Sequence, residues 1–204
     1  PILGGRMDLA AGSSDMDGGV LHLTAGRGSV GGATTLTGGH GATGEGGSAM
    51  VSGGYSAMSA GGDVSVVAGS GLSGGVARLS GGATEGADGV GGRVEVLSGA
   101  GQTSGGIFVH TADGVDSTGA VEVSSGASLS GDAGKVSLSA GASDGGKGGD
   151  FSVSAGRSTG ADGGAVKLTA GASDDRTGGD LYASAGASAT GIGGAVLISA
   201  GAGN

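Results

Sequence analysis

A glycine-paired unit recurs fourteen times in this 204-residue chain, and it limits the possible folds more than any other feature. The unit reads Gly-Gly-x-Φ-x-Φ-x-small-Gly, with Φ apolar and places counted from the residue after Gly-Gly. Thr118 and Ala133 replace the first glycine in two units, and Asp113 replaces the last glycine of the eighth unit. The chain contains 56 glycines. So much glycine without a period indicates disorder, whereas glycine at a fixed period indicates a repeat architecture. The second glycines are Gly5, Gly19, Gly32, Gly47, Gly62, Gly75, Gly92, Gly106, Gly119, Gly134, Gly149, Gly164, Gly179 and Gly194.

The alternation inside each unit predicts a β-strand. Apolar residues fill the second and fourth places, as in Val136 and Leu138, with Thr34 and His110 as the exceptions. A period of two places these side chains on one face of a strand. The sixth place is always Ala, Gly or Ser. We therefore expect a thin apolar interior, with glycines of positive φ where the chain reverses.

A second period of 30 residues favours a solenoid over an antiparallel meander. Residues 141–156 resemble 171–186, and residues 165–170 resemble 195–200, so alternate units are of the same kind. A polyproline II bundle would need glycine at every third place, which this chain lacks. The predicted fold is all-β, a flattened two-sided β-solenoid of about seven coils with two units of ~15 residues per coil. Residues 1–204 are predicted to form one repeat domain.

Both terminal units fit the repeat, so the sequence predicts a solenoid uncapped at both ends. A bare strand edge pairs with any other edge, and a head-to-tail contact that does not close gives an open filament. From Gly194 to Gly5 of a following copy the spacing is again 15 residues. The alternative is that caps lie in flanking sequence. The predicted assembly edges comprise Arg6, Met7, Asp8, Leu9, Ala10, Val196, Leu197, Ile198 and Ser199.

Composition argues against several classes of function. A formal net charge of −9 argues against nucleic acid as a partner. No apolar run approaches the ~18 residues of a membrane helix, so membrane insertion is not expected. The three histidines, His22, His40 and His110, are scattered, and no acid, base and nucleophile converge. We therefore predict a chain that is not an enzyme and holds no cofactor. Loop aspartates suit turns and solubility, with weak Ca²⁺ binding as the alternative.

Ser and Thr are concentrated at the outward fifth place and in the loops. Regularly spaced hydroxyls suit O-linked glycans, although Ser is equally a small, well-solvated strand residue. Asn204 is the only asparagine, so the chain has no N-glycosylation sequon. The candidate O-glycosylation sites are Thr24, Thr37, Ser139, Ser143, Ser154, Ser158, Thr159, Thr169, Ser173, Thr177, Ser184, Ser188 and Thr190.

The unit GGxVxLxAG, as in residues 163–171, resembles the repeats of Gly-, Ser- and Ala-rich extracellular fibrillar β-solenoid proteins of the glycan-coated filament type. The resemblance covers the whole chain but is one of repeat style. It implies an extracellular or cell-surface location and a structural role, and it supplies no ligand residues. The predicted function is a filament subunit that polymerises with itself through open β-edges. The alternative is an ice-binding solenoid with an outward Ser/Thr array.

Overall fold

The computed structural model describes residues 4–86 and 89–202. No helix and no β-strand occurs within these ranges, so the structure has no element bounds to report. The chain divides into two units, Pro1–Ile107 and Phe108–Asn204. The boundary separates the first and second places of the eighth repeat. Each unit is a succession of extended segments joined by loops that bend at their tips.

Side-chain contacts two residues apart show the extended geometry of the segments. Arg6 Nε lies 2.7 Å from Asp8 Oδ1, and Arg93 Nη2 lies 3.0 Å from Glu95 Oε1. Both contacts join the first place of a repeat to the third. In an extended chain residues i and i+2 lie on the same side. The two contacts agree with extended segments, although the segments do not pair into strands.

Most loops are closed by one backbone hydrogen bond between glycines. In the last such loop the Gly194 amide donates to the Gly186 carbonyl oxygen at 2.9 Å. Among the described residues eleven loops are closed in this way, and the acceptor is always the glycine that ends a segment. The loops 113–119 and 126–134, which are described in full, lack this bond. The closing bonds hold each loop's two ends together but leave the segments between loops unpaired.

The predicted β-solenoid is wrong. Its seven coils required the six places of each segment to hydrogen-bond with a neighbouring segment, but the described residues contain no such ladder. Ordering a backbone with 56 glycines has a large entropic cost. The apolar places hold mainly Val, Leu and Ala, which bury little surface to offset that cost. Periodicity alone therefore did not guarantee a folded sheet.

Two related expectations are also wrong for the described residues. None of them is buried, so the second and fourth places enclose no interior. None of the described glycines has positive φ, so the loops do not reverse through left-handed glycine. Glycine serves instead where backbones approach closely. A Cβ added to Gly149 would lie 3.2 Å from the Cβ of Ala140.

Candidate assembly surface

Within each repeat the second and fourth places carry exposed apolar side chains, and we call these places the apolar face of the repeat. Val136 and Val166, at second places, are 50% and 51% exposed. Leu138 and Leu168, at fourth places, are 72% and 73% exposed. Exposed apolar side chains in such numbers commonly mark an interaction site. Equivalent places in successive repeats therefore carry apolar side chains that remain exposed.

Charged and polar contacts join the first and third places, which alternate along the sequence with the apolar second and fourth places. The Tyr182 hydroxyl donates a hydrogen bond of 2.7 Å to Asp180 Oδ2, between the third and first places of one repeat. This bond to a carboxylate raises the pKa of the Tyr182 phenol, with a smaller contribution from desolvation. Lys147 Nζ lies 2.7 Å from Asp150 Oδ2, which links a loop to a first place. The charges are therefore associated with the places that alternate with the apolar ones.

The predicted assembly edges are exposed at both ends. Met7 and Leu9 are 83% and 67% exposed, and Arg6 and Asp8 form an ion pair with each other. In the last repeat Ile198 is 94% exposed. Ala10, Val196, Leu197 and Ser199 are exposed as well. Pairing of these two ends between copies stays a prediction.

The loop serines have a structural role that sequence analysis missed. The Ser143 Oγ accepts a hydrogen bond of 3.0 Å from the Gly146 amide, three residues later. Ser hydroxyls commonly stabilise turns in this way. A Gly-x-Ser signal at the start of the loop would have identified them. The same three-residue bond occurs at Ser56, Ser128, Ser158, Ser173 and Ser188.

The remaining candidate glycosylation sites are all exposed. They fall into a fifth-place group and a loop group, and the fifth place lies on the same side of an extended segment as the first and third. The fifth-place group comprises Thr24, Thr37, Ser139, Ser154, Thr169 and Ser184, and the loop group comprises Thr159, Thr177 and Thr190. Exposure makes each hydroxyl accessible to a modifying enzyme.

A shallow apolar groove lies between the fifth and sixth repeats. Val66, Ala77, Arg78 and Leu79 line it, and its volume is about 290 Å³. Ala77 stands at a second place, where most repeats carry a larger side chain. The small alanine leaves space that a Val or Leu would fill. The groove is therefore a local widening of the apolar face.

Within 4–86 and 89–202 no three His, Asp or Glu side chains converge on a possible ion site. His110 is exposed, and its Nδ1 lies 3.3 Å from the neighbouring Thr111 carbonyl oxygen.

Across the described part of the chain there is no helix of the length and hydropathy needed to span a bilayer. No protein family, no curated protein and no solved structure matches this chain.

Proposed function

We propose that this chain is a structural subunit that associates with copies of itself into an extracellular fibre. The observation that carries the proposal is the apolar face, which is exposed in repeat after repeat. All the large apolar side chains in the described ranges are exposed, including Val136, Leu138 and Ile198. A chain without an internal core gains hydrophobic burial only by association.

The partner that fits this surface best is a second copy. Every copy carries the same row of apolar side chains at the same spacing, so contacts made at one repeat recur at the next. A staggered contact, in which different repeats of the two apolar faces meet, is heterologous and extends indefinitely when it does not close on itself. The net charge of −9 opposes random aggregation and leaves the apolar face as the favourable contact.

The outward hydroxyls support a second part of the proposal, which is O-linked saccharide on the fibre surface. Fifth-place hydroxyls such as Ser139 and Thr169 are exposed and lie on the side that carries the charges. Saccharide there would leave the apolar face free for association. The extracellular location is proposed from the repeat style and from this hydroxyl-rich surface. The ice-binding alternative needs stacked strands to align its hydroxyls, and no observation on the described residues favours it.

Sedimentation velocity and negative-stain electron microscopy over a range of protein concentrations test the proposal. We expect mass to increase with concentration and fibres to form at the highest concentrations. Replacing Val136, Leu138, Val166 and Leu168 together by Ser should abolish fibres, because each side chain contributes up to about 1.5 kcal/mol on burial.

The matched control replaces Val67 and Leu97 by Ser. These residues stand at fifth places and are 85% and 82% exposed. Their replacement therefore removes apolar surface from the side of the segment opposite the apolar face. Fibre formation should persist in this variant. A wild-type chain that stays monomeric at every concentration would contradict the proposed function.

A further inference from the structure

The groove between the fifth and sixth repeats combines an apolar lining with a cation. Ala77 and Leu79 stand at the second and fourth places of the sixth repeat, and Arg78 stands between them. Val66 completes the lining from the repeat before. Within 4–86 and 89–202 Arg78 belongs to none of the ion pairs. The groove therefore suits a segment in which an anion stands between two apolar residues.

Three segments of this chain have that pattern at the same three places of the repeat. They are Met7-Asp8-Leu9, Val94-Glu95-Val96 and Val121-Glu122-Val123. Asp8 is already paired with Arg6 at 2.7 Å, and Glu95 is already paired with Arg93 at 3.0 Å. Glu122 is exposed and, within the described residues, takes part in no ion pair. The segment around Glu122 is therefore the better complement to Arg78.

The match does not depend on the relative direction of the two segments. Val-Glu-Val reads the same both ways, so Glu122 meets Arg78 in parallel or antiparallel alignment. In either case one valine lies beside Ala77, where the lining is small, and the other lies beside Leu79. Alternation of the two extended segments places apolar side chains together and charges together.

We infer that the groove at Ala77, Arg78 and Leu79 binds Val121-Glu122-Val123 of a second copy. This inference rests on the proposed self-association and names its contact surface. The valines fill the widening left by Ala77, and Glu122 pairs with Arg78. The ion pair selects the register, because a shift by one place would set a charge against an apolar side chain.

Charge reversal tests the contact. Arg78→Glu and Glu122→Arg should each weaken self-association about three- to tenfold, measured by sedimentation velocity, because each places like charges opposite one another. The double variant should recover most of the wild-type association. Arg93→Glu is the matched control, since Arg93 is paired within its own segment, and it should change association by less than about twofold.

Filling the groove provides an independent test. Ala77→Leu should weaken association by occupying the space that the incoming valine needs. Ala49→Leu enlarges the second place of another repeat and should have no such effect.

Mixing the single variants identifies where the contact lies. A mixture of Arg78→Glu and Glu122→Arg chains should form mixed dimers more strongly than either chain forms its own. If the double variant recovers self-association but the mixture of single variants forms no additional mixed dimers, Arg78 and Glu122 contact each other within one chain. That result would overturn the inference. If all of these variants associate as strongly as the wild type, the inference is also overturned, whereas the proposed function still stands.

Discussion

The amide of Gly149 donates a hydrogen bond of 2.9 Å to the carbonyl oxygen of Gly141, and this bond closes the loop between two repeats. The same relationship closes the next loop, from Gly164 to Gly156 at 3.0 Å. A side chain on Gly149 would crowd Ala140 and Gly141, with its Cβ 3.3 Å from the Gly141 nitrogen. The second glycine of the repeat is thus explained by close approach.

Replacing Gly149 by Ala should open this loop. The added Cβ must displace Ala140, at a cost of about 1 kcal/mol. We expect hydrogen exchange at residue 149 to become about fivefold faster, measured by nuclear magnetic resonance. Gly141→Ala is the control, because a Cβ there meets nothing within 4 Å. Equal exchange in both variants would contradict the role given to close approach.

Gly53 is predicted to tolerate substitution by Ala even less well than Gly149. A Cβ at this sixth place would overlap the carbonyl oxygen of Gly62, whereas a Cβ on Gly54 meets nothing within 4 Å. Gly53→Ala should therefore disrupt the 2.9 Å bond from the Gly62 amide to Gly54, at about 1–3 kcal/mol. Exchange of the Gly62 amide measures the loss. Gly54→Ala should retain the protection, and a protected Gly62 in both variants would refute the expectation.

The turn hydroxyl of Ser143 should stabilise its loop locally. Ser143→Ala removes the acceptor for the Gly146 amide, at a cost of about 0.5–1 kcal/mol. The Gly146 amide should exchange faster, while Ser143→Thr retains an acceptor oxygen and much of the protection. Ser139→Ala, at a fifth place, serves as the control. An unchanged Gly146 amide in Ser143→Ala would show that the hydroxyl does not support the turn.

The phenol of Tyr182 should titrate at a higher pH when Asp180 is ionised beside it. The carboxylate accepts the hydrogen bond of the phenol and so favours its protonated form, which would otherwise become a second negative charge beside Asp180. This hydrogen bond raises the pKa of Tyr182, and desolvation adds a smaller contribution. In a Tyr55→Phe background Tyr182 is the single tyrosine, so ultraviolet absorbance of tyrosinate reports it alone.

Asp180→Asn in that background should lower the Tyr182 pKa, because the repelling charge is removed. Asp150→Asn changes the same place of another repeat, where Ser152 stands at the third place, and should leave the titration unchanged. A Tyr182 pKa that does not move in Asp180→Asn would contradict the contact.

Several local features could be predicted from the sequence. The period of two predicted β-strands, which the described residues lack, but the contact between Arg93 and Glu95 agrees with their two-residue separation. The glycine pairs correctly marked the loops. These features depend on neighbours in the chain, whose geometry the backbone restricts directly.

The long-range features could not be predicted in the same way. The exposed candidate hydroxyls were identifiable by type, but the exposure of Val136 and Leu138 depends on whether other segments cover them. The groove at Ala77 requires two repeats to adjoin, which no single repeat specifies.

The sequence by itself determined the spacing of the apolar places, the positions of the loops and the side of each segment that carries charge. Only the tertiary structure decided that these apolar places remain exposed and that the segments do not pair into a solenoid. The physical reason is that alternation is a property of one segment. Pairing and burial depend instead on whether contacts between segments offset the entropy of ordering so much glycine.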